Sequence, residues 1–286
     1  MPDQCEIAAV TPERIYIRPH PALRRAVSHY TVFRPLGQEI KSGPPSLLNI
    51  IPDASGCLVL PLAEASFVPR LWGPTSRAVE VAGDSGRASS ILFVEFRPGG
   101  ANRLLNMSLG ALENLVLPLA EVDAPLAAAI TRLMSAHYDL GGAGDFLSLA
   151  GRLDRLLLSR LEKTDESHPA SFVLSELDRG QGQARAAEIA RRSGYSARHL
   201  NRILSDRLGL NLKLLSRIVR INAACRAMSG SGISLTELAQ RLGYHDQAHF
   251  IHDFKAVCGV SPGSYLARMS DFYNEELKMA GKMPSK

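Results

Sequence analysis

AEIARRSGYSARHLNRILSDRLGL, residues 187–210, and TELAQRLGYHDQAHFIHDFKAVCGV, residues 236–260, are two copies of one design. Glu188, Ile189, Ala190, Arg192, Gly194 and Tyr195 meet Glu237, Leu238, Ala239, Arg241, Gly243 and Tyr244 at a constant offset of 49. One residue is then added in the second copy, and Leu200, Leu204 and Gly209 meet Phe250, Phe254 and Gly259 at an offset of 50. Each copy predicts a short helix, a tight turn at glycine and a longer helix that stops at another glycine, the sequence form of a helix-turn-helix. Ala190 and Ala239 are small enough for the paired helices to approach closely, and Gly194 and Gly243 stand where a turn residue often needs positive φ. In the longer helices Leu200, Ile203, Leu204 and Leu208 make one apolar stripe, and Phe250, Phe254 and Val257 make the other.

The opposite faces are then polar and exposed. The first offers Arg198, Asn201 and Arg202, and the second Gln247, His249 and His252. Guanidinium groups form bidentate bonds to guanine and amides to adenine, and these residues lie near the helix start, the end that enters a major groove. Any solvated helix face carries such residues, so one copy alone would decide little. The segment between the copies, NLKLLSRIVRINAACRAM at 211–228, has Leu214, Leu215, Ile218, Ile221, Ala224 and Cys225 at helical intervals and predicts one continuous helix. Some 17 residues at 1.5 Å each give a rod of roughly 25 Å, comparable with the ~34 Å between successive major grooves.

This tandem arrangement resembles the DNA-binding domain of the AraC/XylS family of bacterial transcription regulators. The resemblance covers about 168–268, and LAQRLGYHDQAHFIHDFKAVCGVSPGSYL follows the family's second-unit signature almost residue by residue. The first part resembles sensor domains of some members more loosely, through NIIPDASGCLVL, WGPTSRAV and FVEFRPGGANRLL. By this resemblance Arg198, Asn201 and Arg202 map to groove-facing positions of the first unit, and Gln247, Ala248, His249 and His252 to those of the second. The family usually has arginine at His252 and a small apolar residue at Asp253. The resemblance also implies a homodimer, an effector of small-molecule type, and RNA polymerase as a further partner.

The histidines of GYHDQAHFIHDFK pose a second question. His249 and His252 are i, i+3 neighbours, but His245 falls in the turn before the helix, where Asp246 is placed to cap it. A metal site would need these groups to converge with further support around them, so the favoured reading is a DNA-facing surface with no metal and no cofactor. Histidines there predict binding that weakens as pH rises from 6 to 8. Affinity that stays flat over that range would show that His249 and His252 do not bind as cations.

The charge distribution points the same way. Residues 1–167 carry 16 Lys and Arg against 18 Asp and Glu, while residues 168–286 carry 17 against 10, so the net charge of +5 resides entirely in the second part. Arg191, Arg192, Arg217, Arg220 and Lys255 are the expected contacts to the DNA backbone. The chain of 286 residues is 45% hydrophobic, enough for two domains with a core each. Cys5, Cys57, Cys225 and Cys258 are scattered, no secretory or membrane-length apolar segment occurs, and a reduced, cytoplasmic compartment is expected.

Between Ala22 and Arg97 short apolar runs, LLNII, CLVLPL, SFVPRLW, AVEVA and ILFVEF, alternate with Pro and Gly and predict an antiparallel sheet or barrel. ANRLLNMSLGALENLVL, 101–117, reads as helical, followed by a helical stripe at Leu126, Ile130, Leu133 and His137 and another at Phe146, Leu149, Leu153, Leu156 and Leu157. Both stripes serve the core and are candidates for a dimer contact. Trp72, the single tryptophan, reads first as a core aromatic and second as a pocket wall, and Arg97 as an anchor for the turn at Pro98.

The polar stretch EKTDESHP, 162–169, marks the domain boundary. The expected architecture is α+β. A β-barrel-like, cupin-like sensor and dimerisation domain with helices spans 1–163, and an all-α domain spans 168–270. The latter has helix-turn-helix units at about 185–209 and 234–259 joined by a long helix, with a tail at 271–286. No Walker loop or Gly-x-Ser-x-Gly elbow occurs, and no imidazole cluster lies between His29 and His137. The expectation is therefore a sequence-specific regulator of double-stranded DNA, not an enzyme, controlled by an effector in the first domain. The alternative is an alkylation-repair protein with a similar DNA-binding part and a reactive cysteine, although Cys225 and Cys258 fall on apolar helix faces.

Overall fold

The computed structural model describes residues 5–12, 14–34, 47–62, 68–82, 90–139, 144–161, 169–230, 232–267 and 272–273. The first half contains nine strands among those residues: β1 (Glu6–Val10), β2 (Arg14–Arg18), β3 (Val27–Phe33), β4 (Leu47–Ile50), β5 (Cys57–Pro61), β6 (Arg70–Trp72), β7 (Val79–Ala82), β8 (Ile91–Phe96) and β9 (Val116–Pro118). Seven of them form one sheet in the order β1-β2-β3-β8-β5-β6-β9, with every neighbouring pair antiparallel. This sheet does not close into the expected barrel, because β1 and β9 end it on its two sides. β4 and β7 pair with each other instead, and a short strand from the far end of the chain, β10 (Phe272–Tyr273), lies parallel to β4.

Alternation along the strands separates two faces. Ile17, Tyr30, Val32, Leu58, Leu60, Leu71, Leu92 and Val94 point to one side and form a core with α1 (Gly100–Leu105), α3 (Ala124–Asp139) and α4 (Phe146–Leu158). Each fully buried leucine there contributes about 1.5–3 kcal/mol. Leu126, Ile130, Leu149, Leu153 and Leu157 are all buried in this core, as the stripes predict. A polar tie crosses it: the Tyr30 hydroxyl donates to Asp154 Oδ1 at 2.6 Å, and the backbone N–H of His20 donates to Asp154 Oδ2 at 2.8 Å. Burial pushes both the Tyr30 hydroxyl and the Asp154 carboxyl up.

The helix expected over 101–117 stops at Leu105. Asn106 turns left-handed at φ 50°, and the Asn102 amide donates to Met107 O at 2.6 Å, which fixes the exit. VLP at 116–118 then becomes β9, supplying the partner that β6 needs, and α2 (Leu119–Val122) follows. Arg97 is the expected anchor: its Nε donates to Arg24 O at 2.6 Å.

Among the described residues the second half is helical apart from β10: α5 (Pro169–Arg179), α6 (Ala186–Ser193), α7 (Ala197–Leu208), α8 (Leu212–Gly230), α9 (Leu235–Arg241), α10 (Gln247–Cys258) and α11 (Pro262–Ala267). The domain boundary expected at 162–169 falls on 162–168, outside the described residues, as does all of the tail except Phe272 and Tyr273. Two cores flank α8. Val173, Leu177, Ile189, Leu200, Leu204, Leu208, Leu215 and Ile218 make one; Ile221, Cys225, Leu238, Phe250, Phe254, Val257 and Tyr265 make the other. α8 has 19 residues and is therefore about 28 Å long, slightly longer than the sequence suggests.

Candidate nucleic-acid interface

Capping chemistry sets where α7 and α10 start. Ser196 accepts from the His199 N–H at 3.2 Å to begin α7, and Asp246 accepts from the His249 N–H at 2.7 Å to begin α10, as its position in the sequence suggests. Ser234 does the same for α9 through the Glu237 N–H. The His249 N–H and the His245 ring hold the Asp246 carboxyl below the ordinary carboxylate range. The turns between helices fall at Gly194 and Gly243, with φ of 73° and 72°, where a side chain would strain the backbone.

The buried stripes anchor both helices, and of the outward-facing residues read from the sequence all but Asn201 are exposed. Arg198 and Arg202 on α7 are exposed, as are Gln247, Ala248, His249 and His252 on α10. Asn201 is half-buried, and its Oδ1 accepts from the Leu212 N–H at 2.9 Å. It thus ties α7 to the first turn of α8. Gln247 Oε1 accepts from the Thr236 hydroxyl at 2.7 Å, which fixes one end of that amide.

The expected backbone cations divide into two groups. Arg191, Arg192 and Lys255 are exposed; Arg191 forms a two-point pair with Glu188, and Arg192 pairs with the buried Glu176. Arg217 and Arg220 on α8 are half-buried and engaged inside the protein. Arg217 Nε lies 2.5 Å from Asp253 Oδ1. Arg220 donates to Gly182 O at 2.9 Å and stands 5.0 Å from the centre of the Tyr244 ring, while the Tyr244 hydroxyl donates to Asp253 Oδ2 at 2.8 Å. Burial, with the Asp253 charge beside it, pushes the Tyr244 hydroxyl up. Asp253 therefore holds α10 to α8.

A second feature was not singled out in the sequence. On the sheet face turned away from the helices, Tyr16, His29, Thr31, Cys57 and Glu95 are neighbours by strand register, and all five are buried. The Tyr16 and His29 rings lie 5.8 Å apart, and His29 Nδ1 is 3.1 Å from Ser28 Oγ. Val59, Trp72 and Phe93 on the same face are half-buried, so Trp72 lies at the edge of a polar, aromatic surface rather than in the leucine core.

The thiols bear on the repair-protein alternative. Cys57, Cys225 and Cys258 are buried, a hydrogen bond with Cys225 together with burial pushes the Cys258 thiol up, and burial raises that of Cys5. A reactive cysteine needs the opposite shift, toward the thiolate.

Comparison with known proteins places these features. Residues 189–268 match a family model described as a helix-turn-helix domain, and residues 16–118 match one described as a domain of unknown function, DUF6597. The HTH-type transcriptional activator AarP of Providencia stuartii is 32% identical over 97 residues, covering 34% of this chain and 70% of AarP. The HTH-type transcriptional regulator GlxA of Rhizobium meliloti (strain 1021) is 30% identical over 112 residues, covering 38% of this chain and 35% of GlxA, so the match spans about a third of that relative's length. A solved structure of ToxT from Vibrio cholerae aligns over 93% of this chain and 98% of its own, at 11% identity and a TM-score of 0.40.

Proposed function

We propose, on the footing that this chain belongs to the AraC/XylS family of DNA-binding transcription regulators, that α7 and α10 enter two successive major grooves of one duplex. One observation carries this reading. Two units of the same design, mounted on a single α8, both expose the polar start of their longer helix. Arg198 and Arg202 read bases in the first groove. Gln247, Ala248, His249 and His252 read the second, where Ala248 suits a thymine methyl. Arg191, Arg192 and Lys255 supply salt-dependent affinity for phosphate, while Arg217, Arg220 and Asn201 orient the helices from inside.

The first half supplies control in this reading. The buried row of Tyr16, His29, Thr31 and Glu95, bordered by half-buried Trp72 and Phe93, is the face on which a small effector would find both hydrogen bonds and aromatic contact. The protein acts as a homodimer, and Leu147, exposed on α4, gives the helical side of the domain an apolar position for a partner copy. The thiol environment does not support a cysteine-based repair chemistry.

Arg202 gives the sharpest test. Arg202→Ala costs about 1–3 kcal/mol at the cognate base and relaxes selectivity at that position, measured by competition between selected DNA and single-base variants. Equal loss on selected and random DNA would assign Arg202 to the phosphate backbone instead.

A further inference from the structure

The loop that joins β4 to β5 touches both helix-turn-helix units at once. Ile51 is 3% exposed and packs into the second unit's core, beside residues of α8, α9 and α10. Pro52 O accepts from the Asn222 amide of α8 at 3.1 Å. Ala54 is 4% exposed and packs into the first unit's core. From Ile51 to Ala54 is three Cα steps, at most about 11 Å, so the two cores converge on this loop along α8.

The loop is itself stiff. Asp53 exchanges hydrogen bonds with Thr75, its N–H donating to Thr75 Oγ1 at 2.8 Å and its carbonyl accepting from the Thr75 N–H at 2.7 Å. Its carboxylate accepts from the N–H groups of Ser55 and Gly56, closing the turn.

The rest of the first domain grips the far ends of the reading helices. The Leu109 N–H donates to Asp206 O at 2.8 Å, and Arg207 donates to Asn102 Oδ1 at 2.7 Å, both at the end of α7. The Ala78 N–H donates to Val257 O at 2.7 Å, at the end of α10. A Cβ on Gly209, which ends α7 at φ 74°, would sit 2.7 Å from Leu109 O and from a carbon of Pro74, so the contact requires glycine there. The starts of α7 and α10, which carry the base-reading residues, stay exposed. The first domain therefore holds the units without covering what they would read.

From this we infer that the 51–54 loop is a strut that fixes the distance and angle between the two units, and with it the spacing of the DNA segments the protein accepts. Ile51, Pro52, Ala54 and Asn222 are positioning residues; none contacts DNA. The inference rests on the two-groove reading above. One inserted base pair lengthens the duplex by about 3.4 Å and turns one contact segment relative to the other by about 35°. A braced pair of units cannot follow that change, whereas a pair joined by α8 alone has more freedom to do so.

The test uses the full chain, DNA selected by it from a random pool, and versions of that DNA with one base pair inserted or deleted between the two contacted segments. The unaltered protein loses about tenfold or more in affinity at either changed spacing, while Ile51→Ala combined with Asn222→Ala binds all three within about threefold. Asn222→Ala alone, which removes one hydrogen bond and no core side chain, shifts the preference in the same direction by less, and it carries the test if the double variant does not fold. Spacing preference that is unchanged in the variants, or affinity lost equally at every spacing, overturns the strut. Failure of the unaltered chain to select any sequence would overturn the DNA-reading proposal instead.

Discussion

Replacing Phe254 with alanine is expected to destabilise the second unit by about 3–5 kcal/mol, a large part of the stability of a typical domain. Phe254 is fully buried and stands at the centre of the second core. Its ring meets those of Phe250 at 5.8 Å and Tyr265 at 5.6 Å edge-on. Alanine leaves a cavity in a core built from α8, α9, α10 and α11, and each lost ring contact removes about 0.5–1.5 kcal/mol beyond the buried area. Because Ile51 belongs to the same core, the loss extends to the contact with the first domain. Urea unfolding followed by fluorescence and circular dichroism should show the midpoint falling, and binding to selected DNA should fall to the level of a single unit. A change below about 1 kcal/mol would mean that the core around Phe254 is not what holds α10 in place.

Raising salt from 50 to 200 mM is expected to weaken DNA binding by about a thousandfold or more, as for proteins that neutralise six or more phosphates. The excess positive charge lies in residues 168–286, and Arg179, Arg185, Arg191, Arg192, Lys213 and Lys255 are exposed there. The geometry separates exposed cations from committed ones. Lys255→Ala should lower the slope of log affinity against log salt by about one unit. Arg217→Ala should leave that slope unchanged while lowering affinity at every salt concentration, because Arg217 pairs with Asp253 and orients α10. A fall in slope for Arg217→Ala equal to that for Lys255→Ala would place Arg217 at the phosphates and contradict its assignment as an orienting residue.

The helix-turn-helix units were legible because their determinants are local. Caps at Ser196 and Asp246, glycine turns at Gly194 and Gly243, and stripes at 3.6-residue spacing each lie within a few residues of the structure they specify. The partners of Arg217 and Arg220 were not legible, since Asp253 and Gly182 lie 36 and 38 residues away and meet α8 only after both units have packed. Asn201 was read as a base contact on its helix face alone. Its commitment to Leu212, eleven residues on, depends on the turn that α8 makes at its start.

The sheet was less legible than the helices. β5, β6 and β8 coincide with apolar runs, but β1, β2 and β9 lie outside those runs and gain their identity from pairing. The run ALENLVL carries helical spacing yet ends as β9, because the left-handed Asn106 breaks the helix and β6 offers an edge. His29, Thr31 and Glu95 alternate with core residues in sequence. Only strand register brings them together, so the polar row could not be read from one strand.

The central claim is that two reading helices on one stiff α8 meet one face of a single duplex. Hydroxyl-radical footprinting of the full chain on DNA it has selected tests this most directly. The account predicts, for each bound protomer, two protected segments on the same face, centred about 10–10.5 base pairs apart. One protected segment, or two that lie on opposite faces, would contradict it.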